Sequence, residues 1–128
     1  MSKYMLLIYT PTEGGLTPEE AQAEMPRWSE YTQSLIDAGV MVSGDALEGI
    51  DTATTVRVRN GETVISDGPF ADTKEALGGF YIIDVADLDA AQDWASKMPS
   101  APRGSVEIRP VMVFDGEPAT AGDTGGAA

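Results

Sequence analysis

Few side chains in this sequence can carry chemistry, and the most suggestive sits in Ser66-Asp67-Gly68-Pro69-Phe70-Ala71-Asp72-Thr73-Lys74-Glu75. Gly68 tolerates a positive φ, and Pro69 fixes its own φ and donates no hydrogen bond. The segment therefore cannot continue a helix or a central strand. It is a stiff turn that sets one carboxylate, Asp67, close to one aromatic ring, Phe70. A carboxylate partly desolvated in such a place has a raised pKa and can exchange protons. The same residues also suit a plain Asx-type turn, in which the Asp67 carboxylate accepts backbone N–H groups. Phe70 reads as a core plug before it reads as a substrate platform.

What is missing narrows the chemistry further. The chain has no Cys, which excludes disulfides, thiolate catalysis and Cys-ligated metals. It has no His, which removes the commonest acid/base at neutral pH, the Ser-His nucleophile systems and the commonest metal ligand. A metal would need oxygen ligands, and no D-x-[DN]-x-[DN]-G loop supplies them, so neither a metal nor another cofactor is expected. Ser43 and Ser66 have no base to activate them. Gly14-Gly15 and Gly78-Gly79 lack the GK[ST] of a phosphate loop.

Among only eight cations, Arg57, Arg59 and Arg109 stand out. Arg109 lies in an apolar strand, so its head needs an Asp or Glu of the same chain or an anionic ligand. Tyr9 and Tyr81 bring hydroxyls to strands, where they pack or line a cavity. Lys74 and Glu75 read as a solvated pair of little energetic weight. Asp67 is thus the one catalytic candidate. Tyr9, Phe70, Tyr81, Arg57 and Arg109 are the candidates for a ligand pocket, with a small anionic molecule as its occupant.

These residues need a scaffold, and 128 residues make one domain with a real core. Lys3–Tyr9 is a short, almost wholly apolar run and reads as a buried strand. Thr17-Pro18-Glu19-Glu20 is a helix start with a capping box. Pro26 predicts a break or kink after a turn or two, with the main helix from about Pro26 to Ala38. Trp28, Tyr31, Thr32, Leu35 and Ile36 then share one side, and Gly39 ends it. Val40–Leu47 is a second strand. Thr54–Arg59 alternates cleanly, Asn60-Gly61 is a strong hairpin signal, and Glu62–Ser66 returns. Gly78–Val85 is a long apolar strand. Asp87 caps a second helix over Leu88–Met98, with Leu88, Ala91, Trp94, Ala95 and Met98 inward and Pro99 at its end. Ser105–Phe114 is the last strand, and Pro110 confines it to an edge or a bulge. Residues 1–114 form the domain. The remaining 115–128 are rich in Gly, Ala and Thr and read as a disordered tail.

The order β-α-β-(ββ)-β-α-β matches a ferredoxin-like α+β protomer: an antiparallel sheet, two main helices on one face and an inserted β-hairpin. The strands at Lys3–Tyr9 and Gly78–Val85 are apolar on both sides, as strands covered on both faces are. Two helices cover one face only. The sequence therefore predicts a homodimer whose sheets pack face to face. The net charge of −13 repels phosphate backbones and anionic membranes, so neither nucleic acid nor a membrane is an expected partner. Tyr4–Tyr9 is too short to span a bilayer and no cleavage site follows, which makes the cytoplasm the expected location.

With Tyr4-Met5-Leu6-Leu7-Ile8-Tyr9, Thr54-Thr55-Val56-Arg57, Asp67-Gly68-Pro69-Phe70-Ala71-Asp72-Thr73-Lys74-Glu75, Gly78-Gly79-Phe80-Tyr81 and Val106-Glu107-Ile108-Arg109-Pro110 in view, the chain resembles a DGPF-domain protein. Such proteins form part of the YCII-related branch of the dimeric α+β barrel superfamily. The resemblance covers about residues 3 to 114. It implies a ferredoxin-like protomer whose sheet forms a barrel with that of a second copy. Some YCII relatives carry a His and an Asp suspected of acid/base work, and this chain lacks the His. Haem chemistry known elsewhere in the superfamily likewise lacks its axial ligand here. Genes of DGPF proteins often neighbour those of extracytoplasmic-function sigma factors, which implies a regulatory setting.

Two functions are therefore expected. One is a small-molecule-binding protein or enzyme with a cleft near the Asp67–Phe70 loop at the dimer seam and Asp67 as acid/base. The other is a non-catalytic dimeric interaction module in transcription regulation.

Overall fold

A computed structural model describes residues 1–114. The tail expected at 115–128 lies outside the described residues. The chain forms β1 (Ser2–Pro11), α1 (Pro18–Asp37), β2 (Met41–Ala46), β3 (Thr54–Arg59), β4 (Glu62–Asp67), β5 (Glu75–Val85), α2 (Leu88–Ser96) and β6 (Ser105–Pro110), with one 3₁₀ turn at Ile50–Thr52. Strands β2, β5, β1 and β6 pair in that order into one antiparallel sheet, and β3 with β4 makes a separate two-stranded sheet. This is the ferredoxin-like α+β plan with the expected hairpin inserted.

Local signals set most of the boundaries. The Thr17 hydroxyl accepts the Glu20 N–H at 3.1 Å, and the Glu20 carboxylate accepts the Thr17 N–H at 3.0 Å. The same two Thr17 groups hold the Glu20 carboxyl below its ordinary pKa. Asp87 caps α2 by accepting the Ala90 N–H at 2.9 Å. Asn60 and Gly61 take φ values of 53° and 78°, the left-handed pair that a two-residue hairpin turn requires. β6 is an edge strand paired only with β1, which tolerates Pro110 at its last position.

Five expectations need correction. The first helix does not break at Pro26: α1 runs unbroken for 20 residues with Pro26 inside it. The capping box starts the helix firmly eight residues earlier. Glu24 then ties that first half to the rest of the fold, accepting from Arg103 Nη2 at 2.6 Å and from Trp28 Nε1 at 2.9 Å. These contacts offset the hydrogen bond Pro26 cannot donate. Ile36 is 52% exposed, one position off the stripe formed by Trp28, Tyr31, Thr32 and Leu35, and Leu88 in the first turn of α2 is 45% exposed. Glu75 is not a solvated partner of Lys74. It opens β5, three residues before the expected start, and its carboxylate accepts the Ser105 hydroxyl at 2.8 Å. Lastly, β6 stops at Pro110, and Met112, Val113 and Phe114 beyond it are exposed.

The core lies between the helices and one face of the sheet. Leu6, Leu35, Ile83 and Ala91 are wholly buried there, with Met98 nearly so. Tyr31 reaches across from α1 and donates to the Trp94 carbonyl of α2 at 2.8 Å, which joins the two helices. Residues alternating with these along β1 and β5, namely Met5, Leu7, Phe80 and Ile82, point to the opposite face and are half-buried. No described helix covers that face.

Pro26→Ala restores a backbone donor and removes a ring from an exposed position inside a continuous helix. It is expected to stabilise the protein by about 1–3 kcal/mol, read as a raised thermal midpoint. An unchanged midpoint would mean that the helix does not use the restored N–H.

Candidate functional site

The turn at Asp67–Glu75 is as stiff as its sequence demands. Gly68 adopts φ +100°, which only glycine takes without strain. Its N–H donates to the Ala53 carbonyl at 2.7 Å, and its own carbonyl accepts the Thr55 hydroxyl at 2.8 Å. Arg57 Nη2 donates to the Phe70 carbonyl at 3.0 Å. Thr12 binds the far end, its N–H donating to the Lys74 carbonyl at 2.8 Å and its hydroxyl to the Thr73 carbonyl at 3.0 Å. The Thr73 hydroxyl donates to the Glu75 carbonyl. The loop backbone is thus clamped to both the hairpin and β1.

The side chains of Asp67 and Phe70 face outward. Asp67 closes β4 opposite Thr54, is exposed, and takes no side-chain hydrogen bond from the described residues. Phe70 is 78% exposed, which corrects the expectation of a core plug. The clamps hold the loop backbone alone and give its ring no pocket. Arg57 is committed to the loop. Arg59 donates to the Val58 carbonyl beside it at 3.0 Å.

Tyr9 and Arg109 lie elsewhere, on the sheet face without helices. Arg109 Nη1 is 3.7 Å from Glu107 Oε2, so the acid of the same chain supplies its partner. Partial burial, and then the Glu107 carboxylate, raise the Tyr9 phenol above its ordinary pKa, with Arg109 opposing them. Two polar atoms lie buried on or beside this face without partners among the described residues, Ser43 Oγ and Asp84 Oδ1. Lys3 stands opposite Asp84 in the register of β1 and β5.

Tyr81 is on the helix side, and there the structure holds a cavity of about 370 Å³. Its walls are α1 on one side (Met25, Trp28, Thr32) and the sheet on the other (Ile8, Met41, Tyr81), with Ser100 and Arg103 also lining it. The Trp28 and Tyr81 rings are nearly parallel, 15° apart with centroids at 6.5 Å. The Thr32 and Tyr81 hydroxyls share a hydrogen bond of 2.6 Å. Gly44 is needed for this arrangement, because a Cβ there would come within 2.7 Å of the Tyr81 ring. The size suits a small organic molecule, and the wall is largely apolar with a few polar groups, as ligand pockets are.

A family model of the YCII-related domain matches residues 2–115. An uncharacterized protein of Rhizobium meliloti (strain 1021) is 40% identical over 115 residues, covering 87% of this chain and 93% of the relative. The chain belongs to the YCII-related family.

Of the residues expected at a site in this YCII-related protein, the fold brings Arg57 to the Asp67–Phe70 loop and Tyr9 to Arg109, and it places Tyr81 apart from both. Sequence reading passed over Ser100, Arg103 and Glu24. One signal was present: Pro99-Ser100-Ala101-Pro102-Arg103 sets a cation in a segment stiffened by two prolines. Ser100 accepts the N–H groups of Arg103 and Gly104 at its carbonyl, at 3.1 and 3.0 Å, which folds this segment into a tight turn below the cavity. Among the described residues no cluster of three or more acidic groups is placed to hold a metal ion, and no helix is long and apolar enough to cross a membrane.

Burial is the main force holding the Tyr31 phenol in its neutral form, with the neighbouring Tyr81 adding to it, and its pKa is raised. The stabilisation that follows is complete below the unfolded value of about 10 and is lost as pH climbs from there toward the folded pKa. Unfolding followed between pH 9 and 12 is expected to show a stability loss that Tyr31→Phe reduces. At neutral pH the same variant is expected to cost about 0.5–1.5 kcal/mol for the bond to Trp94.

Proposed function

We propose that this YCII-related protein is a homodimer that binds a small organic molecule. The observation that carries the binding is the cavity between α1 and the sheet, which holds aromatic walls and a few convergent polar groups in about 370 Å³. The pairing rests on the helix-free face of the sheet. Met5, Leu7, Phe80 and Ile82 form an apolar strip there, and burial of such a strip against a second copy is worth about 25 cal/mol per Å². Ser43 Oγ and Asp84 Oδ1, unpartnered in the single chain, favour an interface that supplies the missing partners.

Asp67 takes an acid/base role in this reading only through the pairing. Asp67 is exposed in the single chain, and a second chain covering the Asp67–Phe70 loop would bring the desolvation that proton exchange near neutrality requires. A small anion at that seam would be held by Arg57 or Arg109.

A second reading has its own support. Val56, Val58 and Ile65 share one face of the hairpin at 59%, 61% and 67% exposure. Such a patch fits a non-catalytic interaction module, and the regulatory setting implied by the DGPF resemblance belongs to it.

Light scattering at micromolar concentration is expected to give twice the chain mass of 13.5 kDa. Ile82→Glu, which places a charge in the strip, is expected to give the single mass. In a thermal-shift screen of small organic molecules, hits abolished by filling the cavity with Ala46→Trp support the first reading. Hits abolished by Asp67→Asn place the ligand at the seam. A screen without hits, together with loss of partner capture in Val56→Glu, favours the interaction module.

A further inference from the structure

Resting on the cavity reading above, we infer that the ligand is a neutral molecule with a flat apolar body and a carbonyl-type acceptor, anchored by Ser100 and Arg103. Two polar atoms of the cavity lining are buried and have no partner among the described residues: Ser100 Oγ, on a side chain only 1% exposed, and Arg103 Nε. Ser100 and Arg103 are held three residues apart in one turn by the Arg103 N–H to Ser100 carbonyl bond of 3.1 Å. A buried donor left unmatched is costly, and two of them in one lining point to an oxygen that accepts from both.

Charge decides what kind of oxygen. The Arg103 guanidinium is already neutralised by Glu24, at 2.6 Å through Nη2, and Glu24 is itself fixed by the Trp28 indole N–H at 2.9 Å. Asp45 also borders the cavity, but it pairs with Phe80 in the register of β2 and β5, so its carboxylate points with Phe80 to the opposite face. The local sum is +1 for Arg103 and −1 for Glu24, which leaves zero in a chain whose net charge is −13. A carboxylate entering here would lose its hydration and meet no net attraction. An amide, lactam or ketone oxygen accepts two hydrogen bonds without carrying a charge into the pocket. The near-parallel Trp28 and Tyr81 rings supply flat apolar wall for the rest of such a molecule.

The test uses the full chain and matched probes, benzamide and phenylacetamide against benzoate and phenylacetate, followed by ¹H–¹⁵N chemical shifts and by calorimetry. The amides are expected to shift cavity amides and to bind at least tenfold more tightly than the acids. Ser100→Ala and Arg103→Lys are each expected to weaken amide binding by about fivefold to tenfold. Arg103→Lys keeps the charge facing Glu24 while removing Nε–H. Ser100→Ala without ligand is expected to melt no lower than the parent, because its hydroxyl has no internal partner to lose. Tighter binding of the acids would overturn the neutral class and leave the cavity reading standing. Amide binding untouched by both variants would overturn the anchor. If neither amides nor acids shift any cavity residue, the cavity reading falls and this inference with it.

Discussion

The constraint beneath this structure is a mismatch between sheet and helices. A four-stranded sheet has two faces, and its central strands β1 and β5 carry apolar side chains on both. The described residues provide two α-helices, and Tyr31 bonded to Trp94 keeps them together on one side. Everything on that side packs: Leu6, Leu35 and Ile83 reach complete burial. Met5, Leu7, Phe80 and Ile82 on the other side stay half-buried, and they keep company with the Glu107–Arg109 pair and with two unmatched polar atoms. The core is therefore complete within one chain, while the second face is left unfinished.

The cavity has a related origin. The second half of α1 presses Tyr31 and Leu35 into the core, but its first half, before Pro26, stands over the sheet with little apolar surface to bury. Glu24 holds it in place through polar contacts to Arg103, 79 residues away in sequence, and to Trp28. A helix held by an ion pair at one end and by apolar packing at the other leaves space in between. Gly44 widens that space from below by letting the Tyr81 ring lie against β2.

What could be read from the sequence divides along the same line. Thr17 with Glu20, Asp87, Asn60-Gly61 and Pro110 act within a few residues of themselves, and each announced its element correctly. The unbroken apolar runs of β1 and β5 announced strands with two apolar faces because that pattern is local too. Pro26 misled because its cost is local while its compensation, the Glu24 contacts, is not. At Asp67–Phe70 the stiffness of the backbone was legible, yet stiffness says nothing about which way a ring points, and Phe70 points outward. Ser100 and Arg103 carried only the signal of their two prolines, because their meaning as a site depends on the first half of α1 arriving above them, which no spacing in the chain encodes.

The hairpin of β3 and β4 carries a consequence of its own. A two-stranded ribbon is marginal in water, and this one has a ladder separate from the main sheet, with Val56, Val58 and Ile65 exposed. Its roots are fastened by Gly68 to Ala53 and by Thr55 and Arg57 to the loop that follows, so its tip can open while its base stays put. Cooperativity is therefore divided within one small domain. The amides around Asn60 and Gly61 can trade their hydrogens with solvent by a local excursion, whereas those of β1 and β5 must await global unfolding, and the ribbon forms a foldon with a lower free energy of opening than the sheet beside it.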